Sequence, residues 1–278
     1  MEPLVGKAVP PALHVMSWNI RRILPAPLTR KADRWDRRSP GMAELLGREA
    51  PTLLGAQEAL PEQVDFLLRS LGRSYRAVGR GRGADGGGEA SPLLYDSTRL
   101  SLVSSGQLAL SDHPERAGSR SWGNLIPRVV VTATFQDRVT GGRFFAANTH
   151  LDHLSARSRR RSVDMILKLA EASGVPTVLT GDLNADARSD TLRALVASGT
   201  LEDVWSLAAD SGARWGTFPN YRPPRLEGRR LDWVLVSPEI KVLYAAHNPR
   251  RYANGWPSDH LPVHAVLIPP EGSAVDDR

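Results

Sequence analysis

The sequence contains no cysteine. Disulfides, thiolate zinc sites and cysteine nucleophiles are therefore excluded, and the redox compartment stays undetermined. Any metal that the protein binds must be held by oxygen and imidazole ligands.

Long apolar runs are absent as well. No stretch approaches the roughly 18 apolar residues of a membrane-spanning helix, and residues 1–11 have no apolar core of signal-peptide length. We therefore expect a cytoplasmic protein without a membrane span. Its 278 residues, 41% of them hydrophobic, are enough to bury a large core. No repeat and no long linker divides the chain, so we expect one domain over 12–268, flexible tails at 1–11 and 269–278, and a monomer.

Lysine is scarce, since only 4 of the 36 basic residues are lysine and the other 32 are arginine. The net charge of +6 and the pI of about 10.0 suit a polyanionic partner such as nucleic acid. An arginine bias reflects genome composition as well as function. Charge therefore supports a nucleic-acid partner only mildly.

Apolar periodicity predicts an α/β protein in which two packed sheets carry helices on their outer faces. Helices are predicted at 40–49, 61–71, 155–172 and 189–197, the third capped by Ser155. Strands are predicted near 13–21, 51–58, 90–95, 101–110, 128–136, 178–184, 231–236, 240–246 and 263–268. The glycine-rich segment 79–88 resembles a phosphate cradle, but no helix follows it. We interpret this segment as a flexible loop between strands.

The central stretch is Val178-Leu-Thr-Gly-Asp-Leu-Asn184, an apolar run that breaks at a glycine. In a strand, Asp182 and Asn184 share one face while Leu183 points to the other. The pair is typical of an active-site edge, although Gly-Asp-x-Asn also forms an ordinary turn.

Other apolar runs end on comparable polar residues. In an α/β protein such strand ends meet where ligands bind. The candidates are Asn19, Glu58, His150 with Asp152, Asp232, and Asp259 with His260. No lysine lies in these motifs to neutralise the carboxylates, so a divalent cation is the economical solution. Oxygen ligands favour Mg²⁺, with Mn²⁺ as the alternative, and no His-Glu-x-x-His motif for zinc occurs.

Six motifs follow one another in a recognisable order between residues 17 and 263. They are Ser17-Trp-Asn19, Gln57-Glu58, Asn148-Thr-His150-Leu, Thr180-Gly-Asp182-Leu-Asn184, Leu231-Asp232-Trp and Ser258-Asp259-His260-Leu-Pro-Val263. Together they resemble the endonuclease/exonuclease/phosphatase superfamily, which includes pancreatic-type deoxyribonuclease, AP endonucleases and inositol polyphosphate 5-phosphatases. The resemblance implies a four-layered α/β sandwich and metal-dependent hydrolysis of a phosphoester.

The resemblance also implies a role for each matching residue. Glu58 corresponds to the main Mg²⁺ ligand, with Asn19 and Asp259 as further ligands. Asp182 corresponds to the residue that orients or deprotonates the attacking water, with Asn184 beside it as a donor to the phosphate. His260 corresponds to the imidazole on a phosphate oxygen, with its ring held by Asp232. His150 corresponds to a second phosphate contact. Asp232 has an alternative interpretation as an ion-pair partner of Arg229 or Arg230.

The motifs indicate the branch within the superfamily less clearly. Gly79-Arg-Gly-Arg, Gly88-Glu89-Ala-Ser-Pro-Leu-Leu-Tyr95 and His150-Leu-Asp-His153 followed by Arg157 resemble a poorly characterised, mostly microbial branch. Arg157 is the candidate phosphate-binding residue of this motif. A phosphodiesterase or nuclease is the preferred function. The alternatives are a phosphatase of small metabolites or lipid head groups, and a non-catalytic polyanion-binding protein.

Overall fold

The computed structural model describes residues 2–25, 29–253 and 255–271. Five α-helices are assigned in this part of the chain: α1 (Trp35–Glu49), α2 (Pro61–Leu71), α3 (Ala156–Ser173), α4 (Asp190–Ala197) and α5 (Val204–Leu207). The strands are β1 (Leu13–Asn19), β2 (Leu53–Gln57), β3 (Tyr75–Val78), β4 (Leu93–Asp96), β5 (Leu100–Ala109), β6 (Val129–Asp137), β7 (Arg143–His150), β8 (Thr177–Asp182), β9 (Glu202–Asp203), β10 (Asp210–Ser211), β11 (Asp232–Val236), β12 (Lys241–His247) and β13 (Val263–Ile268).

These strands form two mixed sheets. The first has the order β10-β12-β13-β1-β2-β4-β3, and the second has the order β5-β6-β7-β8-β11-β9. The pairs β1 with β2 and β7 with β8 are parallel, whereas β13 and β11 run antiparallel to β1 and β8. Consequently β1, β2, β7 and β8 end at one edge of the sheets. The strands β11 and β13 begin at the same edge, so the segment that leads into β13 also lies there.

Three apolar clusters lie between the four layers. One lies between the sheets and includes Val15, Leu53 and Val234. The second joins the second sheet to α3 and α4, and the third joins the first sheet to α1 and α2. The predicted four-layered α/β sandwich is confirmed. No helix among the described residues has the length and apolar character needed to cross a membrane.

A polar layer lies between the apolar inter-sheet cluster and the edge where the strands end. Gln57 Nε2 donates to Asn148 Oδ1 at 2.8 Å, and Thr180 Oγ1 donates to the same oxygen at 3.1 Å. Gly55 faces this layer, and a Cβ there would collide with the Thr180 hydroxyl. The glycine therefore allows the two sheets to approach each other closely.

The helices follow from local signals. The predicted cap of α3 is confirmed, because Ser155 Oγ accepts from the Ser158 N–H at 3.1 Å. The helix ends at Gly174, whose φ of 65° needs the left-handed region. In contrast, α1 begins five residues before the predicted start at 40, with Pro40 inside it. The buried side chain of Arg38, in the first part of α1, donates to the carbonyls of Asp33 and Ile20.

The amino-terminal segment differs from the predicted flexible tail. The Glu49 carboxylate accepts hydrogen bonds from the backbone N–H groups of Leu4, Val5 and Gly6, at 2.7, 3.0 and 3.1 Å. These residues are therefore fixed against α1. At the other end, residues 272–278 of the predicted tail lie outside the described residues.

Candidate active site

The structure brings most of the predicted residues to one end of the space between the sheets. Asn19, His150 and Asp182 are the last residues of β1, β7 and β8. The register places His150 beside Asp182, and Asp182 beside Asp232 at the start of β11. Because alternate residues of a strand share a face, these side chains continue the inward-facing rows of the core.

The Asp182 carboxylate is the centre of this group. Its Oδ2 lies 3.0 Å from Asn19 Nδ2, 3.5 Å from His150 Nε2 and 3.8 Å from His260 Nε2. Burial, together with the charge of Asp232, raises the pKa of Asp182 to about 7. The arrangement leaves one carboxylate oxygen facing two imidazoles.

His260 is held by Asp232 as the resemblance implies. Its Nδ1–H donates to Asp232 Oδ2 at 2.8 Å, which leaves Nε2 directed at Asp182. Burial acts to lower the pKa of His260, but the charges of Asp232 and Asp182 outweigh it and raise the pKa to about 10. The exposed ring of Phe218 packs 4.7 Å from the imidazole, measured between ring centroids.

The alternative ion pairs for Asp232 are wrong. Arg229 lies 3.5 Å from Asp186, and Arg230 binds Asp203 at 2.9 Å. Arg230 also stacks on the Trp233 ring, with its guanidinium 3.9 Å from the ring centroid. Asp232 is therefore free to position His260.

Glu58 follows β2 and faces Asn19. Asn19 Nδ2 donates to Glu58 Oε1 at 3.0 Å, while Asn19 Oδ1 accepts from the Arg21 N–H. Asn19 thus presents a donor to the carboxylates in this structure. Burial acts to raise the pKa of Glu58, but the Asn19 hydrogen bond and the charges of His260 and Arg21 hold it below the ordinary value.

The motifs contain no lysine, but Arg21 lies among the carboxylates. Its guanidinium lies 3.9 Å from Glu58 Oε2, 3.6 Å from Asp259 Oδ2 and 3.2 Å from Asp33 Oδ2. Burial raises the pKa of Asp259, with the His260 and Arg21 charges opposing. Arg21 lies beyond the end of β1 with a φ of 55°, so its contacts follow from the turn after Asn19 and not from the alternation of a strand.

A left-handed backbone conformation occurs just after three of the strands, β1, β2 and β8. The φ angles are 55° at Arg21, 61° at Glu58 and 48° at Asn184. Such angles carry a conformational cost outside glycine. Asn184 N–H donates to Asp182 Oδ1 at 3.0 Å and its Nδ2 donates to Leu151 O at 3.0 Å. The Gly-Asp-x-Asn segment is therefore both a turn and part of the site.

Two residues of the His150-Leu-Asp-His153 region lie elsewhere. Arg157 is exposed on the first turn of α3, and no hydrogen bond or ion pair among the described residues joins it to the site. Its phosphate contact stays a prediction. Asp152 accepts the N–H groups of Leu154 and Ser155 and so fixes the start of α3.

Two arginines without a predicted role border the site instead. Arg82 and Arg128 line a cavity together with Glu58 and His150. Arg82 is the second arginine of the Gly79-Arg-Gly-Arg motif, so the sequence contained a signal for this residue. The predicted flexible loop is in fact tied down, since Arg82 N–H donates to Glu89 O at 2.9 Å and Gly83 N–H donates to Gly87 O at 2.9 Å.

Two clusters of the described residues place histidine and carboxylate atoms within 4.8 Å of one another, close enough to hold a metal. The first is Asp182, Asp232 and His260, within the site. The second is His14, Glu49 and His264, near the amino terminus.

The sequence comparison defines the class of protein. Residues 16–260 match the model of the Endonuclease/Exonuclease/phosphatase family. The chain belongs to this family, whose members are metal-dependent phosphoester hydrolases. No curated protein matches the sequence.

Solved structures extend the comparison. The chain is similar to a mannosyl-6-phosphatase of Bacteroides thetaiotaomicron, with 28% identity and a TM-score of 0.87 over 92% of this chain and 99% of that chain. It is equally similar to a family member from Bacteroides vulgatus, with 28% identity and a TM-score of 0.86 over 93% and 99%. Human Nocturnin, at 21% identity and a TM-score of 0.71 over 93% and 95%, shares the fold.

Proposed function

We propose that the protein is a divalent-cation-dependent phosphatase that removes the terminal phosphate from a small phosphorylated molecule such as a sugar phosphate. The observation that carries the proposal is the meeting of Asn19, His150 and His260 around one oxygen of Asp182, beside Glu58. Phosphoryl transfer requires mainly positioning and charge neutralisation, and this cluster offers both.

The donor set suits a divalent cation. Four carboxylates converge, namely Glu58, Asp182, Asp232 and Asp259, against the cations Arg21 and His260. This leaves an excess of negative charge that a divalent ion such as Mg²⁺ or Mn²⁺ balances. Glu58 would be the main ligand, with Asp259 and Asn19 beside it. When bound, the ion neutralises phosphate charge and polarises the phosphorus–oxygen bonds.

The side chains divide the reaction between them. Asp182 orients a water and accepts its proton as the water attacks phosphorus, a role that its buried position beside Asn19 and Asn184 supports. The bond between phosphorus and the ester oxygen breaks in the same step, and the departing oxygen takes up a proton from solvent to leave as the alcohol. Asp232 fixes the His260 ring, so that Nε2 faces the phosphate oxygens. His150 contacts a second oxygen from the opposite sheet.

The sequence alone favours a phosphodiester substrate. The similarity to a mannosyl-6-phosphatase over almost the whole of both chains supports a phosphomonoester instead. A phosphodiesterase, including a nuclease, is the second candidate because the net charge of +6 suits a polyanionic substrate. The non-catalytic alternative has less support, since the residues with an implied metal-binding or acid–base role meet in one place, namely Asn19, Glu58, His150, Asp182, Asp232, Asp259 and His260.

Hydrolysis of mannose 6-phosphate, p-nitrophenyl phosphate, bis(p-nitrophenyl) phosphate and an oligonucleotide, with Mg²⁺ and with chelator, tests this proposal. We expect the monoesters to react fastest and Glu58→Gln to lower kcat/KM by about 10²-fold or more, the scale of losing a central electrostatic contact. Glu62→Gln, an exposed carboxylate on α2, is the matched control. Full activity of Glu58→Gln, or of the wild type in chelator, would contradict the proposal.

A further inference from the structure

A small cavity opens beside the catalytic residues. It measures about 10 Å³ and is lined by Glu58, Arg82, Glu89, Ala90, Ser91, Arg128, Val129 and His150. A cavity of this size holds roughly one water molecule, and hence one oxygen atom of a bound group. The Nδ1 of His150 is buried and has no hydrogen-bond partner among the described residues.

Arginine side chains border this cavity. Arg82 and Arg22 share one oxygen of Glu89, at 2.7 and 3.2 Å. Arg128 contacts Asp152 at 3.4 Å and is 3% exposed. Three guanidinium groups therefore face three carboxylates, Glu58 included, and two of these guanidinium groups share a single carboxylate oxygen. An anionic oxygen in the cavity would give Arg82 and Arg128 a further charge-assisted hydrogen-bond acceptor.

The arginines are held in place by the surrounding chain. A short bridge joins Gly81 to Ala90 and turns the glycine-rich loop back towards the site. Arg128 donates to the His150 carbonyl at 3.4 Å and to His153 Nδ1 at 3.1 Å. Side chains fixed in this way lose little entropy on binding a ligand.

We propose that the cavity between Arg82 and Arg128 binds a non-bridging oxygen of the substrate's terminal phosphate and selects phosphomonoesters over phosphodiesters. The proposal deepens the phosphatase function and rests on it. A monoester carries three terminal oxygens and a charge between about −1.5 and −2 at pH 7. A diester has two such oxygens and a single charge, so it lacks the oxygen that the arginines would hold.

The test compares Arg82→Gln, Arg82→Lys and Arg128→Gln with Arg76→Gln, an exposed arginine on β3. Two quantities are measured: kcat/KM for p-nitrophenyl phosphate and for bis(p-nitrophenyl) phosphate, and the competitive inhibition constant of inorganic phosphate. We expect Arg82→Gln to weaken monoester turnover and phosphate inhibition by about 10-fold to 100-fold, the value of a charge-assisted hydrogen bond. Diester turnover should change less than about threefold, and Arg82→Lys should recover part of the loss.

Equal losses on both esters, or unchanged phosphate inhibition in Arg82→Gln, would overturn the inference. Thermal melting identifies a variant that fails to fold, and the less buried Arg82 decides the matter if Arg128→Gln unfolds. Failure of the phosphatase function has a separate signature, since the wild type itself would then prefer the diester. A wild type that prefers monoesters, combined with an indifferent Arg82→Gln, rejects the arginine subsite alone.

Discussion

At the scale of single residues, the contact between Asp232 and His260 is the most informative. The carboxylate holds Nδ1 of the ring at 2.8 Å and leaves Nε2 facing the site. Loss of either residue should lower kcat by about 10²-fold to 10⁴-fold, the range for acid–base groups. Because the two act as one unit, the double variant should lose little more than the worse single variant. Steady-state kinetics of Asp232→Asn, His260→Gln and the double variant measure this.

The control is Asp203→Asn, which removes the carboxylate that binds Arg230 outside the site. It should leave kcat within a few fold of the wild type. If the two single free-energy losses simply add in the double variant, Asp232 and His260 act independently and the assigned positioning role is wrong.

The residues that could be predicted are those attached to strand ends. Asn19 and Asp182 end apolar runs and Asp232 begins one, and the alternation of these runs fixes the direction of the three side chains. The positions of Arg82 and Arg128 depend on how a loop folds back and how two segments meet, which spacing along the chain does not specify. The role of Arg157 could not be derived in this way, because a motif gives the order of residues and not the face of the helix on which a residue lies.

At the scale of elements, the outer face of the first sheet carries a buried histidine pair. His14 on β1 and His264 on β13 are joined by a 2.8 Å hydrogen bond, and His14 Nδ1 donates to the Gly6 carbonyl. Burial lowers the pKa of His14 to about 4 and, with the charge of His14, lowers that of His264 to about 3. Glu49 and Arg250 are the other charged groups that act on the pair.

This pair predicts acid-sensitive stability. In the unfolded chain each imidazole takes up a proton as the pH falls through its ordinary pKa of 6.5, whereas the folded protein resists protonation until about pH 4 or below. Between these values the unfolded state binds more protons, so stability is full above pH 6.5 and falls as the pH is lowered. The loss should exceed about 1.4 kcal/mol, the value of one pKa unit. Denaturant unfolding at pH 7.5 and 5.0 measures it.

A variant without one of the imidazoles separates this effect from general acid sensitivity. His264→Asn should have a shallower dependence of the unfolding free energy on pH than the wild type, whatever its absolute stability. His113→Asn, which removes an exposed imidazole, should leave the dependence unchanged. Identical slopes for the wild type and His264→Asn would show that the buried pair does not control acid stability.

The elements themselves were largely predictable because most of them follow strong apolar periodicity. The start of α1 was not predictable, because proline is typical of the first turn of a helix and Pro40 therefore suggested the boundary. In the structure the residues before Pro40 are also helical, and Arg38 among them donates to the distant carbonyls of Ile20 and Pro257. The attachment of residues 4–6 depends on Glu49, a residue far along the chain, and no local pattern reveals it. Tertiary contacts thus account for both differences.

At the scale of the whole molecule, the net charge of +6 bears on substrate class. A nuclease that follows a strand neutralises several phosphates, so log affinity falls with log salt by about 0.9 per phosphate on a duplex or about 0.7 on a single strand. A phosphatase of small molecules contacts one phosphate. We expect a shallow salt dependence of KM for mannose 6-phosphate, and slow oligonucleotide turnover, with Mg²⁺ held fixed.

Steep salt dependence combined with faster cleavage of the oligonucleotide would favour the nuclease. Potassium chloride and potassium glutamate should be compared, because a chloride-specific inhibition would otherwise imitate a charge effect. The cytoplasmic location and the monomeric state stay predictions.

The two halves of the site belong to different sheets. Asn19 and Glu58 come from the first sheet, and His150, Asp182 and Asp232 come from the second. Two hydrogen bonds cross between them, from Asn19 to Asp182 at 3.0 Å and from His260 to Asp232 at 2.8 Å. The distance between the two halves of the site therefore depends on the spacing of the two sheets. Gly55, which lies opposite Thr180, allows this spacing to be small. Since a displacement of about 1 Å can cost about 10²-fold in rate, we expect a change in the spacing of the two sheets to lower turnover.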